Sequence, residues 1–151
     1  MMQQDSDVVI KLVLTLHAAS TWAMFGLIWF VQVVHYPLFV FARAHFTDFE
    51  TQHRSLTGIV VAPLMLLELF TATLLLLPSF GVGVGLRCAG FALLGVVWLS
   101  TVLLQVPMHN LLNEGYYAAA HKRLVATNWA RTAAWSLRAL LAAIMLWEGL
   151  S

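Results

Sequence analysis

Apolar residues in this chain run on in stretches of about 20 or more, the length an α-helix needs to cross roughly 30 Å of hydrocarbon. Four such runs stand out, at about 8–40, 50–77, 87–109 and 127–149, and each carries few charges. The first is overlong and is expected either to project from the membrane or to bend near Pro37. The second opens on Thr47-Asp-Phe-Glu50, a capping-box pattern, and holds Pro63, a predicted kink. The Pro- and Gly-rich PSFGVGVG predicts a tight turn between runs two and three. The longer HNLLNEGYYAAAHKRLVATN leaves room for a short surface helix before Thr127 or Asn128 caps the last run. The prediction is an all-α, four-helix transmembrane bundle of up-down-up-down topology, one integral membrane domain over residues 1–151.

Composition strengthens this picture. Of the 151 residues, 61% are hydrophobic and 10% charged, against about 25% charged in soluble domains. The expected partner is the lipid bilayer. A net charge of +1 offers no basic face for nucleic acid. The single cysteine, Cys88, excludes an internal disulfide and any Cys-based metal cage, so a metal would need His and carboxylate ligands. Asp5 and Asp7 stand where a signal peptide needs a basic n-region, so the N-terminal segment reads as a retained first helix. Arg43, Arg54, Lys122 and Arg123 fall on one side of the bundle, and Lys11 and Arg87 on the other. The positive-inside rule then puts both termini outside, in the periplasm if the membrane is a bacterial inner membrane. A unit this small and symmetric is also compatible with a homo-oligomer.

The two halves resemble each other. Gln32-Val-Val-His35-Tyr-Pro37-Leu is followed by His53-Arg-Ser-Leu, and Gln105-Val-Pro107-Met-His109-Asn-Leu by His121-Lys-Arg-Leu. A tandem repeat of helical hairpins would relate them by a pseudo-twofold axis along the membrane normal. The match is short, as compatible with chance as with duplication.

Polar residues fall on two levels. His35, His53, His109 and His121, with Glu50, are expected to converge at the cytoplasmic end. Imidazole and carboxylate suit iron, copper or zinc, and helical bundles build such sites from facing helices. The competing reading is a set of interfacial histidines bonded to water or headgroups, since no HExxH spacing is present. His17, Glu68 and Arg138 lie about 15–18 residues from the histidines of their own helices, which places them about 22–27 Å away, toward the outer face. Glu68 and Arg138 are each other's expected partners. They form either a structural ion pair or, with His17, a proton relay or substrate anchor. Arg131 and Trp135 extend this lining on nearly the same face of the last helix.

QVPMHNLLN followed by LVATNWARTAAWSLRALL resembles the anthrone oxygenase-like family of small four-helix membrane proteins, largely of unknown function. Pro107, Asn110, Trp129, Arg131 and Thr132 look like that family's motif positions, and the run from Gly26 through Pro37 is also similar. The resemblance implies oxygenation of a polycyclic anthrone to an anthraquinone without a conventional cofactor. The chain departs from the family in its histidines at 35, 53, 109 and 121, which shifts weight toward a metal. The expected function is an oxidoreductase or oxygenase acting on a hydrophobic aromatic or quinone-like small molecule, with Asn110 and Arg131 stabilising an oxyanion. A second stretch, LHAASTWAMFGLIWF, resembles the first helix of small haem-associated protoporphyrinogen oxidases of bacteria and implies His17 as a haem ligand. The third reading is a membrane subunit or transporter whose polar residues are structural.

Overall fold

The computed structural model describes residues 2–150, and every regular element among them is helical. The α-helices are α1 (Met2–Phe30), α2 (Tyr36–Leu38), α3 (Phe46–Leu75), α4 (Val84–Ser100), α5 (Val106–Asn113) and α6 (Ala118–Leu150). Residues 1 and 151 of the expected single domain lie outside the described residues.

Among the described residues three uninterrupted helical stretches are long and apolar enough to cross a membrane: Asp7–Leu75, Val84–Asn113 and Ala118–Leu150. Four were expected. The difference lies at Phe39–His45, where a tightened 3-10 helix carries the chain from α2 into α3. His45, at φ −133° and ψ 41°, leaves the helical region there.

Neighbouring long helices run antiparallel. Thr21 meets Glu68 while His35 meets His53, so α1 and α3 oppose. Trp29 meets Ser136 while Gln32 meets Asn128, so α1 and α6 oppose. Gly90 meets Arg138 while Gln105 meets Thr127, so α6 opposes α4 and its continuation. The seam between α3 and α4 is far less extensive than these three.

Pro37 and Pro107 each follow a π turn. Val31–His35 precedes Pro37 and Thr101–Gln105 precedes Pro107. Proline lacks an N–H and its ring crowds the carbonyl four residues back, and a wider turn is one way to relieve that. In the first π turn the Tyr36 amide bonds to the Val31 carbonyl, so Tyr36 takes the place above Val31 that residue 35 would hold in a regular helix. Pro63 sits inside α3 without interrupting it.

Two expected caps do not form. α3 begins at Phe46 with no side-chain cap, and Glu50 bonds to His109 instead of closing a capping box. α6 begins at Ala118, so Thr127 and Asn128 lie well inside it, and the expected surface helix is its first turns. Gly115, at φ +151°, makes the preceding turn in a conformation that costs a side-chain-bearing residue.

The core is a stack of apolar layers. One groups Val13, Leu14, Leu75, Phe80, Val82 and Met145, the next Met24, Ile28, Met65, Val97, Ala134 and Trp135, and the third Tyr36, Phe39, Phe46, Leu112 and Leu124. The outside is apolar too: Leu56, Ile59, Phe70, Leu99, Leu103, Leu137 and Leu140 are all exposed. An apolar exterior over helices whose backbone bonds are internal is what hydrocarbon demands.

Candidate metal centre

Glu50 and His53 stand on one face of α3, three residues apart, where side chains are neighbours. His109 reaches them from α5. One ligand atom from each of the three lies within 4.8 Å of the others. Glu50 and His53 are buried, and the His109 side chain is 12% exposed.

A set of hydrogen bonds fixes these groups. The His109 Nδ1–H donates to Glu50 Oε1 at 2.5 Å, and the Tyr36 hydroxyl donates to His109 Nε2 at 3.0 Å. His35 Nε2 lies 2.8 Å from His53 Nδ1, and the Thr57 hydroxyl stands 3.1 Å from the same nitrogen. Glu50 Oε2 is buried with no hydrogen-bond partner. A buried carboxylate oxygen without a donor is costly, and a cation bound by Glu50 would satisfy it. The donor set therefore fits a metal: two imidazoles and a carboxylate, with a further imidazole and a phenol orienting them.

His121 does not join the group. Its Nε2–H donates to the Tyr36 carbonyl at 2.7 Å and its Nδ1 accepts from the Tyr116 hydroxyl at 3.0 Å. Bonded to a backbone carbonyl and to Tyr116 and not to Glu50 or His53, it braces the backbone beneath the centre. Asn110 is exposed and takes no part either. Successive helical residues are about 100° apart, so turning His109 inward turns Asn110 out.

Beside the centre is a cavity of about 370 Å³, lined by His53, His109, Tyr36, Gln105, Trp98 and Arg131 with apolar walls that include Ile28, Val61 and Met65. Arg131 is held from behind. Its Nη1 donates to Asn128 Oδ1 at 3.2 Å, Asn128 Nδ2 donates to Gln32 Oε1 at 2.8 Å, and the guanidinium lies 5.1 Å from the Trp135 ring centroid. Tyr36, Gln32, Gln105 and Asn128 matter here and were not singled out as site residues in the sequence. The signal for Asn128 was its spacing to Arg131, Thr132 and Trp135, one stripe of α6 that is buried throughout.

The second level forms as an ion pair. Arg138 Nε donates to Glu68 Oε1 at 2.9 Å, Thr21 donates to the same oxygen at 2.9 Å, and Trp135 Nε1 donates to Oε2 at 3.0 Å. Arg138 Nη1 also donates to the Gly90 carbonyl. His17 stands one turn away from Glu68 and does not touch it. Its Nδ1–H donates to Thr71 Oγ1 at 3.0 Å, because the Thr71 hydroxyl proton goes to the Leu67 carbonyl. The cavity His17 lines measures about 10 Å³, the space of about one water. A haem does not fit beside His17 there.

Compared with families of known proteins, with curated proteins and with solved structures, the chain returns no match.

Proposed function

We propose that this protein is a small membrane oxidoreductase in which Glu50, His53 and His109 hold a transition metal beside a cavity for a lipid-soluble substrate. The observation that carries the reading is the joint placement of two histidines and a carboxylate, within 4.8 Å of one another, with both histidines on the cavity wall. Two histidines and one carboxylate with positions left open is the donor set of non-haem iron oxygenases, so iron ranks ahead of copper or zinc. Bound there, iron supplies oxidation chemistry with dioxygen as the oxidant.

The chain's own residues do the rest. With a metal in place of the Nδ1 proton that His109 now gives to Glu50, His109 Nε2–H would donate to the Tyr36 hydroxyl and His53 Nδ1–H to His35 with Thr57, partners that raise ligand basicity and fix orientation. Apolar walls accept the substrate body and exclude water, and Arg131 stabilises negative charge that develops on a substrate oxygen. The likeness to the anthrone oxygenase-like family supports an aromatic or quinone-like body.

In this reading the antiparallel long helices are four spans of an up-down-up-down bundle, with the turn at Phe39–His45 outside the hydrocarbon. The paired π turns and prolines support a duplicated hairpin. Arg43, Arg54, Lys122 and Arg123 place the metal end in the cytoplasm and the termini in the periplasm of a bacterial inner membrane.

Metal analysis of detergent-purified protein after anaerobic loading with iron, copper or zinc tests the proposal. One metal per chain is expected, together with its loss in a His53→Ala/His109→Ala variant. A chain that takes up none of the three, or a variant that retains the metal, overturns it.

A further inference from the structure

Of the six buried side-chain polar atoms without partners among the described residues, three belong to residues that line the cavity. Among the described residues Arg131 Nε, Trp98 Nε1 and Gln105 Oε1 are buried and unbonded, and all three residues line it. Arg131 is 7% exposed and Gln105 2%. Charge is unbalanced as well. The lining holds two guanidiniums, Arg54 and Arg131, and no carboxylate. The nearest acids are already engaged, Glu50 by His109 and Glu68 by Arg138. Ionised groups within a membrane almost always have a counter-charge, and Arg131 has none among the described residues.

The cavity faces lipid. Its α3 side carries Gly58, Ala62 and Leu66, one helical turn apart and all exposed, and Val106 is exposed across the loose α3–α4 seam. A molecule dissolved in the bilayer can slide in sideways with its head toward Arg131 and its body left between the helices.

We infer that the ligand is a lipophilic monoanion, an oxyanion head on an apolar body, bound by Arg131 and Trp98 N–H donors and entering from the bilayer past Gly58. The inference names the substrate class of the cavity and so rests on reading that cavity as the substrate site. It does not require the metal. Two unbonded donors on residues that line one cavity match the two oxygens of a carboxylate or the concentrated charge of a phenolate. Gln105 Oε1 adds selectivity, accepting a hydroxyl or N–H of the ligand and repelling a second anionic group. The Tyr36 hydroxyl, bonded to His109, stands between this head-binding group and the metal ligands, so the anchored head brings the adjoining part of the body to the metal.

Binding of anthracene carboxylate to the detergent-purified chain, read by energy transfer from tryptophan, is compared with binding of anthracene methanol. The acid is expected to bind tighter by about tenfold or more, the equivalent of one charge-assisted hydrogen bond. Oleate and oleyl alcohol serve as competitors. Displacement by oleate assigns a chain-like body, and resistance to it a planar one, the oxyanion head being supported either way by the acid–alcohol difference. Arg131→Gln is expected to erase that difference and leave the alcohol's affinity in place. Should Arg131→Gln fail to fold, Gly58→Leu tests the route, since a Cβ at Gly58 meets nothing within 4 Å and the larger side chain fills the mouth. Both ligands are then expected to weaken about tenfold or more. Equal affinity of acid and alcohol in the unaltered chain, a preference retained in Arg131→Gln, or a Gly58→Leu chain that binds both ligands undiminished overturns the inference. Repeating the comparison on chelator-treated protein separates the two proposals. An intact acid preference there supports the anion site independently of the metal, a chain that keeps the preference yet takes up none of the three metals on loading overturns the metal reading alone, and a lost preference in a metal-loaded chain overturns this one alone.

Discussion

The two polar levels are built from similar residues and end in opposite states. At the outer level Glu68 is fully buried and both its oxygens are bonded, to Arg138, Thr21 and Trp135. The adjoining space measures about 10 Å³. At the inner level Glu50 is as deeply buried, yet its Oε2 is unpartnered, and a cavity of about 370 Å³ opens beside it with unbonded atoms of Arg131, Trp98 and Gln105 around it. The outer level has spent its carboxylate on the fold, and of this ion pair Arg138 Nη2 alone is left unbonded, with no open volume beside it. The inner level holds its capacity in reserve. Buried charge inside a membrane therefore does not mark function by itself; unfilled valence beside open volume is the better sign.

That contrast can be broken most forcefully at Glu68. Glu68→Ala leaves Arg138 buried without its carboxylate and is expected to cost about 3–5 kcal/mol, read as a large fall in the thermal midpoint in detergent. Metal uptake by the fraction that folds should be unaltered. A variant with unchanged stability and lost metal would reverse the roles assigned to the two levels.

His53→Ala should do the opposite. Metal affinity is expected to drop by more than about a hundredfold, the upper end of what loss of a supporting partner alone costs, while stability falls by about 1 kcal/mol. Competition with a chromogenic chelator measures the first quantity and thermal unfolding the second. Tyr36→Phe is a finer probe. It removes only the hydroxyl on His109 Nε2, and about tenfold weaker metal binding is expected with the fold intact. If affinity does not change, Tyr36 is a packing residue and the inner level is less organised than its distances suggest. The smallest effect belongs to His121→Ala. Its loss of two bonds, to the Tyr36 carbonyl and the Tyr116 hydroxyl, should cost about 1 kcal/mol of stability and leave metal stoichiometry at the wild-type value.

Sequence periodicity foretold the pairing of Glu68 with Arg138 and the approach of His35, His53, His109 and Glu50, because both depend only on distance along helices of known rise. It could not foretell direction at helix ends. His121 turns away because α6 starts at Ala118 and not near 127, which puts His121 in its first turn, facing the Tyr36 backbone. Asn128, expected as a cap, is for the same reason an interior residue holding Gln32 and Arg131. Tyr36 was hidden by the π turn, which advances it to the inward position. The π turns also revise the comparison of the halves. Gln32 lies five residues before Pro37, whereas Gln105 lies two before Pro107. In backbone register His35 corresponds to Gln105, each the last residue of its π turn. The letters matched with an offset, and the shared feature is the wide turn ahead of proline. The 3-10 reversal at Phe39–His45 was equally illegible, since its apolar FVF reads as more of the first span.

The central claim is that Glu50, His53 and His109 together bind a metal. Crystals of the metal-loaded chain, with diffraction recorded on both sides of the iron, copper and zinc absorption edges, test it most directly. The account predicts one anomalous peak per chain at about 2.0–2.3 Å from a carboxylate oxygen of Glu50 and a ring nitrogen of each histidine. Fully loaded crystals with no peak among these three residues, or with the peak on other side chains, would contradict it.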